Sequence, residues 1–409
     1  NSDTTEYDGN AHTVEGCTAT ANSDLYDTAA NIKFTGTAAA TRTDVGTTNM
    51  GLTPEQFVNA NDNFTVTFTV IDGFQTITPV AAEVTVTIVG NSATNDYDGE
   101  EHIVTGYQVT DISNPLYTEG DFAFSGDATA ARTDNGTTYM GMTAADFANT
   151  SANFANVTFV VTDGYQAIGA IDVVVTIVGN HATDTYDGTE HSVTGYQVTN
   201  ISSRLYTQDD FTFAGAAEAA RTDAGTTNMG LAASQFTNNN ANFKNVVFNV
   251  TDGYQTIDPL AVTVSIVGNN DTTEYDGNAH TVEGYVATAN SDLYDTAANI
   301  KFTGAATATR TDAGTTNMGL APEQFVNAND NFTVTFIVTD GFQTITPVAA
   351  EVTATINGSK ITKTYDGTEH IAAGYAVGID NPLYTPDDIA FTGTSTASRT
   401  EVGTTYMGL

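Results

Sequence analysis

One sequence module is repeated almost five times along this 409-residue chain, and the repetition constrains the fold more than any other feature. A Tyr-Asp-Gly phrase recurs at spacings of 90, 89, 89 and 90 residues, beginning at Tyr7, Tyr97, Tyr186, Tyr275 and Tyr365. A fixed period of this kind is typical of a tandem array. We therefore predict repeat modules, called copies one to five below, at residues 1–90, 91–179, 180–268, 269–358 and, incomplete, 359–409.

The same later phrases follow in every copy. A His comes after Tyr-Asp-Gly, then an Arg-Thr-Asp or Arg-Thr-Glu phrase, then Thr-Thr-Asn/Tyr-Met-Gly. The four complete copies end with Asp-Gly-Phe/Tyr-Gln and an apolar segment that closes on Gly. Because an enzyme rarely needs one active site five times in a row, this repetition favours a stalk, spacer or fibre.

Copy two illustrates the local pattern. Residues 102–110 are rich in β-branched and aromatic residues, and residues 171–178 are mostly apolar. Val157, Phe159 and Val161 alternate with other residues in the period of two that is typical of a strand. Residues 133–136, Thr-Asp-Asn-Gly, predict a hairpin turn. Thr-Pro-Glu at residues 53–55 predicts one short helical turn, with counterparts at residues 143–147 and 321–325. The sequence thus predicts an all-β tandem array of immunoglobulin-like β-sandwich modules of about 90 residues, each with one short helical turn.

The charge balance excludes some partners. The chain has 11 Lys and Arg against 49 Asp and Glu, a formal net charge of −38. Since phosphate binding draws on clustered basic residues, we expect no nucleic acid partner. No apolar run reaches the roughly 18 residues of a membrane helix. The single cysteine, Cys17, stands where other copies have Tyr. We expect a packed side chain there, and a thioester or an intermolecular disulfide is the alternative.

The Tyr-Asp-Gly-Xaa-Xaa-His phrase with a following Gly-Tyr resembles the MBG-type repeats of bacterial surface proteins. The resemblance extends over every copy. It implies bacterial immunoglobulin-like tandem repeats of a large surface adhesin or extracellular fibre, located at the cell surface or secreted. Related repeats commonly have Lys after the Gly, where this chain has Asn10, Glu100, Thr189, Asn278 and Thr368.

Five of the six arginines fall in the same phrase, in a chain that otherwise avoids basic residues. An acidic residue follows each of them two positions later. We predict a structural ion pair that stabilises the hairpin or the module interface. The pairs are Arg42 and Asp44, Arg132 and Asp134, Arg221 and Asp223, Arg310 and Asp312, and Arg399 and Glu401. A ligand-binding role for the arginines is the alternative.

Acidic residues also gather at the starts of the copies. Carboxylates are preferred calcium ligands, and an ion there would stiffen the array. The candidate ligands are Asp8, Asp96, Asp98, Asp184, Asp187, Glu274 and Asp276. No Asp-Xaa-Asp-Xaa-Asp-Gly loop occurs, so calcium is a hypothesis and no cofactor is required. The recurring His is assigned a structural hydrogen bond, because one His per module does not form a metal cluster.

The sequence shows no nucleophile–base pair and no phosphate loop, so no enzyme is predicted. The preferred hypothesis is a stalk or shaft segment that extends a distal binding region. The partners are then neighbouring modules of the same chain. One alternative is a self-assembling filament subunit in which identical chains complete the broken last copy. Another is glycan or host-protein binding by each repeat, with Tyr139 and Tyr406 as candidate contacts. The last copy stops at Leu409, which favours a segment of a longer array.

Overall fold

The computed structural model describes residues 1–409, and strands dominate it. The chain forms two compact units. One contains Asn1–Ile177, Val198–Ala214 and Ala233–Val250; the other contains Val178–Gln197, Gly215–Ala232 and Thr251–Leu409. Copy one and copy two up to Ile177 lie in the first unit, copies four and five lie in the second, and copy three contributes residues to both.

The sandwich around copy two contains ten strands and two 3₁₀ turns. Its strands are β1 Val84–Gly90, β2 Ser92–Asp96, β3 His102–Thr105, β4 Tyr107–Ile112, β5 Phe122–Phe124, β6 Thr129–Arg132, β7 Gly136–Tyr139, β8 Phe147–Asn149, β9 Val157–Thr162 and β10 Tyr165–Gly169. The 3₁₀ turns are Glu119–Asp121 and Ala144–Asp146.

The other copies repeat these elements with local differences. Copy one has strands Asp3–Glu6, His12–Glu15, Ile32–Phe34, Ala39–Arg42, Gly46–Asn49, Phe57–Asn59 and Phe74–Thr78, with helical turns Thr28–Asn31 and Pro54–Gln56. Copy three and the strand before it have Ile171–Gly179, His181–Thr185, His191–Thr194, Tyr196–Ile201, Phe211–Phe213, Glu218–Arg221, Gly225–Asn228, Phe236–Asn238, Phe243–Thr251 and Tyr254–Asp258, with turns Gln208–Asp210 and Ala233–Gln235. Copy four and its preceding strand have Leu260–Gly268, Asn270–Glu274, His280–Glu283, Tyr285–Ala289, Ile300–Phe302, Thr307–Arg310, Gly314–Asn317, Phe325–Asn327, Phe332–Thr339 and Phe342–Thr346, with turns Thr296–Asn299 and Pro322–Gln324. Copy five has Ala354–Gly358, His370–Ala373, Tyr375–Ile379 and Thr396–Arg399, with the turn Pro386–Asp388.

Two three-stranded sheets build the sandwich around copy two. In one sheet β1 is the middle strand, antiparallel to β4 and parallel to β9. In the other sheet β10 is the middle strand, parallel to β2 and antiparallel to β7. The two-stranded pairs β3–β6 and β5–β8 complete the fold. The chain is therefore an all-β tandem array of immunoglobulin-like β-sandwich modules, as predicted.

Strand β1 fills the centre of the core. Val84, Val86 and Ile88 are 0% exposed, while the residues between them are only partly buried. Most of their core partners, including Tyr117, Phe147 and Phe154, belong to copy two. The strand that the sequence period assigns to the end of copy one thus packs inside the sandwich of copy two. Leu260–Gly268 has the same position before copy four, between Tyr285–Ala289 and Phe332–Thr339.

The predicted short helix is confirmed at Pro54–Gln56, Ala144–Asp146 and Pro322–Gln324. A second turn, which the sequence analysis did not predict, precedes it in each of copies one to four. In copy one this second turn is capped by Asp27, whose carboxylate accepts from the backbone N–H groups of Ala29 and Ala30.

The predicted hairpin at residues 133–136 is wrong. The flanking strands β6 and β7 do not pair with each other, because β6 pairs with β3 and β7 pairs with β10 of another sheet. The segment is a corner between two sheets, and Gly136 has φ of 132° there. Gly106, with φ of 83°, similarly divides the predicted strand at residues 102–110 into β3 and β4.

Candidate functional site: the junctions between copies

The recurring arginine holds this corner together. The Arg132 guanidinium donates from Nε to the carbonyl oxygen of Asp134 at 2.7 Å and from Nη2 to the carbonyl oxygen of Asn135 at 2.7 Å. Nη1 donates to the hydroxyl of Thr138 on β7 at 3.1 Å. The equivalent bonds recur at Arg42, Arg221, Arg310 and Arg399. One planar, charged donor group thus ties one strand to the next.

The predicted ion pairs take a different form. Each arginine binds the backbone carbonyl of its acidic partner and not the carboxylate, because the corner turns those carbonyl oxygens toward the guanidinium. The partners with this backbone contact are Asp44, Asp134, Asp223, Asp312 and Glu401. In the first three of these, the carboxylate accepts from an asparagine of the following copy instead.

That asparagine clamps the corner of the preceding copy. Asn153 donates from Nδ2 to the Asp44 carboxylate at 3.1 Å, and its Oδ1 accepts from the Val45 backbone N–H at 2.9 Å. Asn242 makes the same pair of bonds to Asp134 and Asn135, at 2.8 and 2.7 Å. Asn331 repeats them at Asp223 and Ala224, at 2.9 and 2.6 Å.

The phenylalanine after each of these asparagines makes the second junction contact. Phe154 meets the ring of Tyr7, from the Tyr-Asp-Gly phrase of copy one, edge-on at 5.7 Å between ring centroids. Tyr97 with Phe243 and Tyr186 with Phe332 repeat this geometry at 5.6 and 5.2 Å. The sequence analysis missed this Asn-Phe dipeptide, although it recurs at Asn63, Asn153, Asn242 and Asn331.

The Asp of Tyr-Asp-Gly closes its own turn. Asp8 accepts from the Asn10 backbone N–H at 2.9 Å and lies 2.8 Å from Nε2 of His12. The His12 hydrogen bond, followed by that of Asn10, lowers the pKa of Asp8 to about 2. Asp187 and Asp276 are also lowered to a pKa of about 2, by bonds led by Thr189 and by the Asn278 backbone respectively. The recurring His therefore has the structural hydrogen bond assigned to it.

The acidic residues at the starts of the copies do not converge on one point. No group of three or more His, Cys, Asp or Glu side chains is arranged to hold a metal ion. Asp8, Asp98, Asp187 and Asp276 bond within their own turns. Of the remaining candidates, Asp184 accepts from Gln255, Glu274 accepts from the Ala349 backbone, and Asp96 lies beside Gly169. Calcium at these positions stays a hypothesis.

The second Asp-Gly phrase has a role inside the sandwich. The Asp163 carboxylate accepts from the backbone N–H groups of Gly141 and Met142, so it links the Met-Gly phrase to the start of β10. A Gln follows this Asp three residues later in each complete copy, and all four are buried: Gln75, Gln166, Gln255 and Gln343. In Gln166 the side-chain amide donates to Asn95 on β2 at 3.0 Å, across the sheet. The sequence analysis recorded these glutamines only as part of a repeated phrase.

Three further features are exposed. Tyr139 is 63% and Tyr406 87% exposed, and the Tyr139 ring lies edge-on to Tyr165 at 5.9 Å. Cys17 is exposed, so the prediction of a packed side chain there is wrong. Open cavities of about 770 Å³ and about 800 Å³ lie in copy one and in copy five, respectively.

The chain matches no known protein family and no curated protein. Among solved structures it is similar to the N-terminal eight Ig domains of Down Syndrome Cell Adhesion Molecule isoform 1.30.30, with 8% identity and a TM-score of 0.15. That match covers 75% of this chain and 48% of the other, so this chain spans about half the length of the solved structure that it matches. The N-terminal four Ig domains of Dscam1 isoform 4.44 match at 8% identity and a TM-score of 0.12, over 68% and 76% of the two chains. At such TM-scores the likeness adds nothing to the fold assignment, which rests on the strand pairing.

Proposed function

We propose that the chain is a structural spacer, a stalk or shaft segment of an extracellular surface adhesin or fibre that extends a distal binding region. The observation that carries this proposal is the repeated junction. The same Asn-to-Asp clamp and the same Tyr–Phe contact recur where copy one meets copy two, copy two meets copy three and copy three meets copy four. A specific junction repeated in this way suits a chain whose length and connection matter more than any single surface.

One further observation supports a passive role. Glutamine, tyrosine and arginine side chains that recur in every complete copy are engaged in packing or in bonds within and between sandwiches, which leaves few recurring groups for a ligand. None of the helical turns is long and apolar enough to cross a membrane. We also propose that each folding unit begins with the strand before the Tyr-Asp-Gly phrase, as Val84–Gly90 does for copy two.

Single-molecule pulling on the full chain tests the spacer. If each sandwich bears load as one unit, those around copies two, three and four unfold in separate steps. Each step releases roughly 300 Å, since about 90 residues extend by roughly 3.3–3.6 Å each. Extension without repeated steps would contradict the proposal. Light scattering separates the alternatives: a spacer stays monomeric at high concentration, whereas a filament subunit grows. Binding on a glycan array that is lost in Tyr139→Ser would favour the ligand-binding alternative.

A further inference from the structure

The corner of copy two has a reactive amide that the corners of the other copies lack. Asn135 lies at this position in copy two and is directly followed by Gly136. The other copies have an aliphatic residue there: Val45, Ala224, Ala313 and Val402. Asn135 is exposed, and Gly136 has no side chain to shield its backbone nitrogen. The two residues therefore meet the steric requirements of an intramolecular deamidation.

The reaction needs no partner except water. The Gly136 backbone nitrogen attacks Cγ of Asn135 and the Cγ–Nδ2 bond breaks. Nδ2 leaves as ammonia and takes the proton of the Gly136 N–H, so that a cyclic imide remains. Water then opens the imide at one of its two carbonyl carbons. Attack at Cγ gives Asp, whereas attack at the main-chain carbonyl carbon gives isoaspartate, in which the backbone runs through the former side chain.

Arg132 activates the peptide bond that reacts. Its Nη2 donates to the Asn135 carbonyl oxygen at 2.7 Å. A charged donor on this oxygen withdraws electrons from the peptide nitrogen, so the Gly136 N–H gives up its proton more readily. In the imide, the same guanidinium stabilises the negative charge that develops on this oxygen when water attacks the main-chain carbonyl carbon. Opening to isoaspartate is therefore favoured, and its new carboxylate forms beside Arg132.

The Asn135 side chain is only weakly restrained. Its Nδ2 donates to the Ala241 carbonyl at 3.1 Å, and this contact must break before Cγ is attacked. The loss of one neutral hydrogen bond of this kind slows the reaction by only about fivefold. The stronger contact of the junction involves the backbone, because Asn242 Oδ1 accepts from the Asn135 N–H at 2.7 Å. The junction thus leaves the reactive amide accessible.

Either product weakens the contact with copy three. The amide that donated to the Ala241 carbonyl is lost, so that carbonyl loses its donor. A new negative charge lies next to Asp134, whose carboxylate accepts from Asn242 at 2.8 Å, and like charges repel. Isoaspartate also adds a carbon to the backbone between the N–H that Asn242 binds and Gly136. The clamp on this corner is therefore lost or loosened.

We propose that Asn135-Gly136 is a self-modification site, at which deamidation to mainly isoaspartate loosens the junction between copies two and three alone. The corners of copies one and three have Val45 and Ala224 at this position, and neither side chain contains a leaving group. The array then loses docking at one defined junction as the protein ages. This inference does not depend on the spacer proposal, because it involves only the corner of copy two and its contacts with copy three.

The test incubates the full chain in mildly alkaline buffer, in which peptide N–H groups ionise more readily. Peptide mapping by mass spectrometry follows residue 135, and an isoaspartate-specific methylation assay separates the two products. We expect conversion of the amide to an acid, with isoaspartate as the larger product. A synthetic peptide of residues 129–140 gives the unrestrained rate. If Asn135 were unconverted after about ten half-times of the peptide, the restraint would exceed one hydrogen bond and the proposal would be overturned.

The effect on the junction is read by hydrogen exchange. Exchange at the amide of residue 135, which bonds to Asn242, rises about fivefold as conversion proceeds, as the loss of one such bond implies. The amides of Val45 and Ala224, which make the same bond to Asn153 and Asn331, keep their rates. Complete conversion without faster exchange at residue 135, or with equal acceleration at the other two junctions, would overturn the proposal.

The matched variant is Asn135→Ala, because it places the residue of copies three and four at this corner. Gly136 is left unchanged, since an added Cβ would collide with Arg132. The variant keeps the backbone N–H that Asn242 binds, so exchange at residue 135 stays constant during incubation. A rise equal to that of the parent chain would assign the change to general ageing and overturn the proposal.

Arg132→Met tests the direction in which the imide opens. Without the guanidinium, the share of isoaspartate falls toward the share measured in the peptide of residues 129–140. This product ratio distinguishes a role in the chemistry from a role in stability, because loosening of the corner changes the rate for both products. A share of isoaspartate that is the same in Arg132→Met and in the parent chain would overturn the role assigned to Arg132.

Discussion

Asn153 donates its side-chain amide to the carboxylate of Asp44 at 3.1 Å, although the two residues are 109 positions apart in the chain. The same asparagine accepts from the Val45 backbone N–H. A single side chain therefore donates to one residue of the corner and accepts from the next. The junction between copies one and two is thus specified by side chains as well as by the short connection. Its recurrence at Asn242 and Asn331 makes the clamp a property of the repeat.

Replacing Asn153 with Ala removes both bonds of one clamp. A hydrogen bond of this kind is worth about 1 kcal/mol, so the loss is local and does not unfold the chain. We expect faster hydrogen exchange at the Val45 amide, measured by NMR or mass spectrometry. The matched control is Asn63→Ala, which changes the equivalent residue of copy one and should leave Val45 unchanged. Equal exchange at Val45 in Asn153→Ala and the parent chain would contradict the clamp.

Features that depend on neighbouring residues in sequence were predictable. The period, the alternation of Val157, Phe159 and Val161 on β9, and the short helix at Pro54–Gln56 all follow from local pattern. The corner at residues 133–136 was not predictable as such, because Asp-Asn-Gly gives the same turn signal for a hairpin and for a crossing between sheets. Which sheet a strand joins is decided by contacts that are distant in sequence.

The candidate site shows the same limit. The recurrence of the arginine identified a structural residue, but the choice between the carboxylate and the carbonyl of Asp134 depends on the path of the corner. The partner of that carboxylate, Asn242, lies 108 residues later. Cys17 is exposed, whereas its counterpart Tyr107 in copy two pairs with Gly90 at the end of β1. None of these relationships has a local sequence signal.

Calcium removal should leave the array unchanged. Most of the carboxylates at the starts of the copies bond to backbone, His or Gln groups, and no cluster of three suits a metal ion. We therefore expect the same thermal melting curve in excess EDTA and in millimolar calcium. A calcium-dependent rise in melting temperature that is lost in Asp98→Asn would instead locate a calcium site at the start of copy two.

Acid should weaken the Tyr-Asp-Gly turns in a defined pH window. The pKa of Asp8 is lowered from 3.8 to about 2, first by the His12 hydrogen bond. Because the folded state favours the ionised carboxylate, this contribution to stability is fully present above pH 3.8 and is lost as pH falls through about 2. NMR titration of the Asp8 carboxyl should show the pKa rising toward 3.8 in His12→Ala. In copy three the leading cause is the Thr189 hydroxyl, so Thr189→Val should raise the pKa of Asp187. An Asp8 pKa that is unchanged in His12→Ala would contradict the assignment of the shift to the His12 hydrogen bond.

Substitutions at Arg132 and Asp134 should act on different parts of the molecule. Arg132→Met removes three bonds from a charged donor, and we expect a loss of about 2 kcal/mol in local stability, seen as faster exchange in β6 and β7. Asp134→Ala keeps the carbonyl that Arg132 binds and removes only the carboxylate, so it should spare the corner and weaken the contact with Asn242. A double-mutant cycle, with exchange at the Asn135 amide as the readout, should therefore give coupling between Asp134 and Asn242 and near-additivity between Arg132 and Asp134. Strong coupling in the Arg132–Asp134 cycle would restore the ion pair that the sequence suggested, because only a carboxylate contact makes the two side chains interdependent.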